Sequence, residues 1–451
     1  MASTYLTRTP ASAGNRTTWT WSAWIKRNKL GTEQFVFYGW DSADNDTRIF
    51  FDIDDTLKIL NTISNVTNTR LHTTQVFRDV SAWYHIVLVA DTNNGTSSNR
   101  FKVYINGTLV TSFTTATYPS SGVQTFINSN VLHTLGRRSD GASNYFDGEM
   151  AHVHFIDGTV YDASAFGETD ATTGIWKPKT APSVTYGTNG FFLKFENSGS
   201  MGTDSSGNGN NFTVNGTMTQ TIDTPSNVFA TLNPLDNYYA GSTFSNGNCK
   251  ISTLDTSHGF NISTLGASTG KYYMEAKLIQ GTLNNFSVVG ISDLGQDASL
   301  SELGEDAYEY AYVQDTGYIR SSAIGTAYGT SYTTNDIIGV AMDLDNNKLY
   351  VSKNGTWQNS ADPSAGTGGF TITAPSNTDS GVYHFAMGDW QNTSGSGGVA
   401  IWEANFGNGY FGTTAVASAQ NPDDGIGIFE YSVPTGYKAL CTKSINAQEY
   451  D

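Results

Sequence analysis

The sequence is poor in cysteine, since its 451 residues include only Cys249 and Cys441. Two cysteines are too few for a disulfide framework or for a structural zinc site. They fall near the two ends of the second half of the chain, so the strands that carry them could be neighbours. We expect two buried thiols rather than the alternative, a disulfide bridge, because assembly in the cytosol disfavours oxidation.

Positive charge is scarce as well. The chain has 24 Lys and Arg against 41 Asp and Glu, a net charge of -17, and no run of basic residues exceeds two. A protein that binds nucleic acid needs a concentrated basic face for the phosphates, so we exclude nucleic acid as a partner. We interpret the acidity as a source of solubility, with calcium binding or repulsion between crowded copies as alternatives.

Long apolar runs are missing. No stretch of about 18 apolar residues could span a membrane, and the start MASTYLTRTP lacks the apolar core of a signal peptide. We therefore expect a soluble chain made in the cytoplasm, without membrane insertion. Helical periodicity is nearly absent too, and residues 163–166 are the most favourable single helical turn.

The sequence is instead rich in glycine (47 residues), in aromatic residues (13%) and in Ser, Thr and Asn. Short alternating apolar runs, separated by turn pairs such as Asn106-Gly107, indicate strands. Without long helical segments between them, they predict an all-β chain of antiparallel sandwiches and exclude a parallel α/β fold. The predicted strands are residues 19–26, 35–38, 48–53, 83–90, 101–105, 150–156, 191–195, 271–279, 287–291, 311–313, 337–343, 348–352, 382–387, 399–402 and 427–431.

Residues 201–240 are polar, rich in Gly and Asn, and interrupted by Pro225 and Pro234. This composition is typical of a connection rather than of a core strand. We therefore predict two tandem sandwiches, at residues 1–200 and 241–451, with a returning segment and linker at 201–240. Each sandwich contains one hairpin with an Asn-Gly turn, in KVYINGTLV and in KLYVSKNGTW, where Asn-Gly supplies the positive φ angles.

Motifs in the first sandwich follow the order of a known domain type. The segments WSAWIK, WYH leading into VLVAD, VYINGTLV and LGRRSDGASNYFDGEMAHVHFIDG succeed one another between residues 15 and 160. In this order they resemble the laminin-G-like domains of the concanavalin-A-like lectin/glucanase type, and residues 191–216 resemble their returning segment. The resemblance implies a jelly-roll sandwich and gives His85, beside Trp83, a structural role.

The second sandwich resembles another family with the same architecture. Within residues 270–407, the segments GKYYMEAKL, VVGIS, TNDIIGVAMDLDNNKLYVSKNGTW and ANFG resemble a SPRY domain. The whole chain, above all YLTRTPASAGNRTTWTWSAWIKR and DTPSNVFATLNPLD, further resembles structural proteins of marine tailed bacteriophages that carry such domains. This resemblance implies a virion appendage, tail or head-surface protein, and it does not distinguish between them.

The acidic residues do not form the pattern of a glycanase. A retaining glycosidase needs two carboxylates about 5 Å apart, which strand alternation would place on one sheet face. The nearest groups, FDIDD at 51–55 and ELGEDAYEY at 302–310, are interpreted as loop or strand-edge acids. The sequence also has no phosphate-binding loop and no Gly-x-Ser-x-Gly elbow. We therefore predict that the protein is not an enzyme and has no catalytic residue.

Two groups of residues have the spacing of metal ligands. His152 and His154 alternate on one predicted strand and would share a face, as two ligands could. Asp204, Asn208 and Asn210 are spaced as in calcium loops, but the acidic end of such a loop is missing. We expect packing or hydrogen bonding for the histidines and a turn for DSSGNGN. The prediction is therefore neither a metal nor a cofactor.

Aromatic residues are the remaining candidates, because exposed rings can stack on a pyranose. Trp40, Trp357 and Trp390 lie at predicted loops or strand ends, where they could be exposed. Burial in a core or an interface is the competing hypothesis for each, so no site residue is assigned.

Together these observations favour a non-enzymatic structural protein of the virion surface, present as a homo-oligomer and attached to other virion proteins. The alternative is a carbohydrate-binding adhesin for host surface glycan, and a glycan depolymerase is the third hypothesis. An adhesin predicts a shallow groove lined by aromatic and Asn residues. A depolymerase predicts paired acids there, and a purely structural protein predicts neither.

Overall fold

The computed structural model describes residues 4–141, 143–254, 258–281, 286–298, 301–390 and 399–449. The chain forms two compact units, Met1–Gln220 with Thr224–Ser226 and Thr221–Asp223 with Asn227–Asp451. Residues 201–220 thus belong to the first unit and 227–240 to the second, so the predicted segment 201–240 is not a separate linker. None of the helices in the described ranges is long and apolar enough to cross a membrane.

The first unit contains two large antiparallel sheets and a small hairpin. Its strands are β1 Tyr5–Arg8, β2 Thr18–Arg27, β3 Gln34–Ser42, β4 Asn45–Phe51, β5 Thr56–Ile63, β6 Val66–Val76, β7 Trp83–Asp91, β8 Phe101–Ile105, β9 Thr108–Leu109, β10 Phe113–Thr117, β11 Leu132–Leu135, β12 Gly148–Asp157, β13 Gly167–Thr169, β14 Trp176–Pro178, β15 Phe191–Leu193 and β16 Thr213–Asn215. The sheet orders are β10-β6-β5-β4-β3-β11-β1-β16, β15-β12-β2-β7-β8-β9 and β13-β14.

Strand β2 shows how this sandwich is held together. Trp19, Trp21 and Ile25 alternate along it and are fully buried between the two large sheets. Burying one large apolar side chain contributes about 1.5–3 kcal/mol. Ser22 and Trp24, which point the other way, are buried as well, because the connection at residues 158–190 packs on the outer face of this sheet.

The second unit repeats the plan with different strand connections. Its strands are β17 Thr243–Ser245, β18 Lys250–Ser252, β19 Gly259–Ile262, β20 Lys271–Gln280, β21 Ser287–Ser292, β22 Glu309–Val313, β23 Tyr318–Ser321, β24 Ile324–Ala327, β25 Ile337–Asp343, β26 Lys348–Lys353, β27 Thr356–Trp357, β28 Phe370–Thr371, β29 His384–Asp389, β30 Ile401–Asn405, β31 Tyr410–Phe411, β32 Thr414–Ala415 and β33 Lys438–Ala439. One large sheet has the order β17-β18-β30-β20-β25-β26-β27, with β28 beside β26 and β33 beside β20. The second large sheet has the order β19-β29-β21-β22-β23-β24, and β31-β32 form a small hairpin.

The core of the second unit lies between its two large sheets. Met274, Ala276 and Leu278 of β20 enter this core. The outer face of the same sheet is also covered, because residues 426–441 pack Phe429 against Tyr273. The prediction of an all-β chain of antiparallel sandwiches is confirmed, although β33 runs parallel to β20.

The two predicted Asn-Gly hairpin turns are confirmed. Asn106 and Gly107 have φ angles of 47° and 82°, and Asn354 and Gly355 have 47° and 78°. Both central residues of such a turn need positive φ, which Asn and Gly adopt most readily. The turns join β8 to β9 and β26 to β27.

Several elements differ from the sequence-based expectations. An α-helix, α1, spans Thr442–Glu449, and its polar sequence TKSINAQE gave no apolar stripe to indicate it. The predicted turn at 163–166 is a 3-10 turn at Ala163–Ala165, with two further such turns at Ser97–Asn99 and Pro375–Asn377. The predicted strand at 427–431 forms no regular strand, and only isolated bridges involve Ile428 and Phe429.

In each unit the first and the last segment lie next to each other. In the first unit β1 pairs with β16, which sets Tyr5 opposite Asn215. In the second unit Phe229 forms an antiparallel bridge with Cys441, and the backbone N–H of Ala230 donates to the carbonyl of Leu440 at 2.9 Å. The first and last segments of each unit are therefore directly hydrogen-bonded to each other.

Candidate functional site

An open depression of about 680 Å³ lies in the second unit, beside the outermost strand β27. Residues from two separate segments, 329–330 and 353–360, line it. Aromatic and amide side chains are both present, since Trp357, Asn354 and Asn359 belong to this lining. This is the kind of groove that the adhesin hypothesis predicts.

Trp357 supplies the aromatic surface of the depression. The indole is half-buried and packs edge-on against Tyr273, with ring centroids 6.2 Å apart. This contact fixes the ring against the outer face of the sheet. Within the described part of the chain, no protein group accepts a hydrogen bond from its Nε1–H. The indole is therefore held in place and keeps an unused donor.

Two polar side chains hold the two walls together. The Oε1 atom of Gln358 accepts hydrogen bonds from the backbone N–H and the hydroxyl of Thr330, at 3.1 and 3.2 Å. Asn354 fixes the neighbouring turn, because its Oδ1 accepts from the N–H of Ile337 at 2.9 Å and its Nδ2 donates to Asp336 at 2.7 Å. Sequence analysis missed Gln358 and Thr330. The one signal was the position of Gln358 directly after Trp357, one of the three candidate tryptophans.

The lining is close to electrically neutral. Lys353 is its one charged residue among those that border the depression. Its ammonium group donates to the carbonyl of Ser331 at 2.7 Å and lies 3.5 Å from a carboxylate oxygen of Asp336. No carboxylate belongs to the bordering residues, so the described depression lacks the paired acids of a glycosidase.

The other two candidate tryptophans are engaged by the fold. Trp40 packs on the cluster of Phe35, Tyr38 and Phe50, and its indole N–H is buried. Trp390 packs against Phe286, with centroids 5.4 Å apart. The guanidinium of Arg320 covers its ring at 4.1 Å. Trp357, by contrast, borders the open depression described above.

The acidic groups singled out in the sequence organise loops. Glu309 accepts hydrogen bonds from the backbone N–H groups of Gly304, Glu305 and Asp306, at 2.9–3.2 Å. Burial raises its pKa to about 7. Glu302 binds His258 at 3.0 Å and also pairs with Arg320. The segment ELGEDAYEY thus uses its carboxylates to fix its own conformation and that of its neighbours.

The segment FDIDD provides a small group of possible ligands in the first unit. One atom each of Asp52, Asp54 and His72 lie within 4.8 Å of one another. Asp52 already pairs with Lys58, and Asp54 accepts hydrogen bonds from Thr56. These protein partners account for the arrangement as a loop between β4 and β5.

The predicted histidine pair lies on β12, against an aromatic cluster. His154 stacks on Phe192, with centroids 3.9 Å apart, and its Nδ1 bonds with the hydroxyl of Tyr186 at 2.9 Å. His152 lies beside the same Phe192 ring, at 5.5 Å. Burial lowers the pKa of both histidines. The two rings share one side of the strand, as predicted, and they pack there.

His85 has the structural role that the resemblance implies. Its Nδ1 accepts a hydrogen bond from the indole N–H of Trp176 at 2.9 Å, so Nε2 carries the proton and donates to the hydroxyl of Ser22 at 2.9 Å. The ring also stacks on Trp24. Burial lowers its pKa to about 3, which keeps the imidazole neutral.

The segment DSSGNGN forms the expected turn. Asp204 accepts hydrogen bonds from the backbone N–H groups of Phe192, Ser206 and Asn210, each at 2.8 Å. The amide nitrogens of Asn208 and Asn210 donate to main-chain carbonyls of residues 187–190. These side chains tie the returning segment to β15 by direct protein contacts.

Both cysteines lie in the second unit. Cys249 and Cys441 are both buried thiols, as predicted. The thiol of Cys249 accepts a hydrogen bond from Asn408 at 3.4 Å, and that of Cys441 lies 3.2 Å from the hydroxyl of Ser444.

Comparison with known families supports the fold of the first unit. Residues 2–165 match the model described as the concanavalin A-like lectin/glucanases superfamily. This confirms the concanavalin-A-like prediction for the first sandwich. Proteins with laminin-G-like domains of this type generally bind protein or carbohydrate, and binding is therefore the function class to which the match points.

Comparison with curated proteins finds a short region of similarity. A stretch of 91 residues is 36% identical to Ran-binding protein 9 of Danio rerio, over 20% of this chain and 15% of that protein. Ran-binding protein 9 of Homo sapiens is 35% identical over 91 residues, 20% of this chain and 12% of its own length. The chain thus spans about an eighth to a seventh of these relatives, whose names do not refer to a phage particle. The virion assignment stays a prediction.

Comparison with solved structures finds partial similarity at low identity. The SPRY domain of human HERC1 has a TM-score of 0.28 and 13% identity, over 38% of this chain and 96% of that one. A heptameric SAP-like pentraxin from Limulus polyphemus has a TM-score of 0.27 and 17% identity, over 35% of this chain and 71% of that one.

Proposed function

We propose that this chain is a non-enzymatic surface protein of a tailed-bacteriophage virion, part of the tail, a fibre or the head surface. Copies of it would contact one another and other virion proteins. The resemblance of its opening segment and of DTPSNVFATLNPLD to phage structural proteins supports this location. The concanavalin-A-like match supports a binding role.

One observation carries the non-enzymatic part of the proposal. The carboxyl groups of Glu275, Glu309 and Asp389 are deeply buried, and each accepts hydrogen bonds from backbone N–H groups of a segment distant in the strand order or of a neighbouring loop. Catalytic acids need access to a substrate, whereas these acids are buried against the backbone segments that they bind. Buried acids of this kind support a structural protein, whose contacts with other molecules would lie on its surface.

The proposal is tested by locating the chain on intact particles. Cryo-electron microscopy of particles with and without a tag on this protein should reveal difference density in a symmetric oligomer anchored to the capsid or the tail. A chain that is absent from purified particles, or present as an unattached monomer, would contradict the virion role.

The second candidate function is that of a carbohydrate-binding adhesin, and the depression at Trp357 favours it. Its lining combines an aromatic ring with amide and hydroxyl groups, the combination that holds sugars by stacking and hydrogen bonding. This function is compatible with the first, since a virion protein can contact both the particle and a host glycan. A depolymerase has less support, because the residues that border the depression include no acid.

A further inference from the structure

The depression beside β27 is bordered by hydrogen-bonding groups that have no protein partner in the part of the chain that the structure describes, and these groups are all uncharged. Besides the indole N–H of Trp357, three uncharged polar groups on its border have no protein partner within the described residues. They are the hydroxyls of Thr356 and Ser360 and the Oδ1 atom of Asn359. They offer both donors and acceptors, and a ligand with several neutral hydroxyl groups could engage all of them.

We propose that this depression is a binding site for a neutral pyranose unit of a glycan, which stacks on Trp357 and hydrogen-bonds to the hydroxyl and amide groups around it. The inference rests on the adhesin function proposed above and specifies its site and its ligand class. The volume of about 680 Å³ lies within the range of small-molecule sites, about 300–1,000 Å³.

Charge favours a neutral sugar over an anionic one. The ammonium group of Lys353 is already used by Ser331 and Asp336, so no free cation remains on the border to pair with a carboxylate or sulfate. The chain as a whole carries a net charge of -17, which repels anions at low ionic strength. A sialylated or sulfated glycan would therefore lose affinity relative to its neutral counterpart.

The local fold favours a sugar over a peptide strand. A peptide that extends a sheet needs a long free edge, but β27 has only two residues. The chain then turns away at Asn359 and Ser360, whose φ angles are 56° and 51°. Its backbone is engaged as well, since the N–H of Gln358 donates to Val351 at 2.9 Å.

The site is rigid before a ligand arrives. Gln358 joins the two walls through Thr330, and the amide nitrogen of Asn359 donates to the carbonyl of Gly368 at 2.9 Å. Rigid positioning lowers the entropic cost of binding. This matters for a single sugar unit, which makes few contacts.

The test uses the full chain and saturation-transfer difference NMR with a set of defined oligosaccharides. The set holds neutral glucose-, galactose-, mannose- and N-acetylglucosamine-based members, together with sialylated and sulfated ones. We expect saturation of ring C–H protons in at least one neutral member. Trp357→Leu should weaken its binding by about tenfold or more, as expected when an aromatic platform is removed, while Trp357→Phe retains most of the affinity.

Tyr238→Ala is the matched control, because Tyr238 is an exposed aromatic of the same unit, 89% accessible, and does not border the depression. It should leave glycan binding unchanged. Folding of each variant is checked by the thiols of Cys249 and Cys441, which stay unreactive while the second unit is folded.

Three results would overturn the inference: no binding of any neutral glycan, binding that folded Trp357→Leu leaves intact, or binding of anionic glycans alone. Capture of a peptide library through Trp357 without any glycan binding would also overturn it. Particle density without glycan binding would leave the virion proposal standing and reject this site. Glycan binding by a chain that is absent from particles would support this site and reject the virion proposal.

Discussion

The two units share an architecture, but the buried groups brought to or kept from protonation differ: large pKa shifts fall on histidines in the first unit and on carboxyl groups in the second. The first unit encloses histidines, and burial lowers the pKa of His85 to about 3 and of His133 to about 4. The second unit encloses carboxyl groups, and burial raises the pKa of Glu275, Glu309 and Asp389 to about 7. In both units burial shifts the pKa toward the neutral form of the group, because a charge loses hydration when it is buried.

This difference reflects how each unit covers the outer face of a sheet. The first unit packs aromatic rings over its sheet, and neutral imidazoles stack well among them, as His154 does on Phe192. The second unit covers its sheet with irregular segments whose backbone N–H groups need acceptors. Glu275 serves two of them, from Glu430 and Tyr431, at 2.8 Å each. A buried histidine of the first unit therefore could not replace a buried carboxyl group of the second, since the two have different contacts to satisfy.

The largest effect is expected from Glu275→Gln. Four donors converge on this carboxyl, since Tyr273 and Asn405 join the two backbone groups. One amide nitrogen in place of an oxygen would face donors and leave them unpaired, so we expect a loss of about 2–4 kcal/mol in the second unit. Urea unfolding, followed by the reactivity of the two buried thiols, measures it.

Tyr273→Phe is the control for this change, because it removes one donor and keeps the ring. Its cost should be about 1 kcal/mol. If Glu275→Gln is no worse than this control, the carboxyl does not organise the loop, and the comparison between the units loses its main support.

The next largest effect is an opposite response of the two units to pH. A carboxyl whose folded pKa is raised binds its proton more tightly in the folded state, so the second unit should gain stability from about pH 8 to about pH 5. A histidine whose folded pKa is lowered is protonated mainly in the unfolded chain, so the first unit should lose stability from about pH 6.5 to about pH 4. His384 in the second unit and Asp46 in the first act in the opposing sense.

The two responses can be measured in one titration. Dithiodipyridine labelling of Cys249 and Cys441 reports unfolding of the second unit at acidic and neutral pH, since both thiols lie there. Hydrogen exchange of peptides from β2 and β12 reports the first unit. Parallel loss of stability in both units on acidification would contradict the prediction.

The smallest effect is expected from His154→Phe. The phenyl ring keeps the stacking with Phe192 but cannot be protonated, so the acid-induced loss of stability in the first unit should shift to lower pH. Tyr186→Phe is the matched control, because it removes the hydroxyl bonded to His154 and leaves the titrating group. An unchanged acid midpoint in His154→Phe would show that this histidine does not contribute.

The sequence predicts most of the strands because apolar alternation records which face of a strand is buried. Apolar alternation does not reveal the buried residues of a strand whose two faces are both covered by other segments. In KYYMEAKL, Glu275 occupies the position of a solvent-facing residue, yet it is enclosed by residues 426–441. That segment lies about 150 residues further along the chain, and no local pattern indicates that it returns to this strand.

The candidate site was predictable in part for the same reason. Trp357 was identified as one of three aromatic candidates, because it follows an Asn-Gly turn at a strand end. The opposite wall of the depression was not predicted. Thr330 lies 28 residues before Gln358 in the sequence, and only the folded structure brings the two into hydrogen-bonding distance. The strands β5 and β6 were also missed. The Thr-rich sequence of β6 lacks strong apolar alternation.

The pairing of first and last segments within each unit bears on how such a chain can evolve. Because Tyr5 lies opposite Asn215, and Phe229 opposite Cys441, each unit enters and leaves at adjacent points. A module with adjacent ends can be inserted into a loop of another protein, or replaced by recombination, without opening either sheet. Because every sheet draws its strands from one unit alone, such an exchange of one sandwich would leave the strand pairing of the other intact.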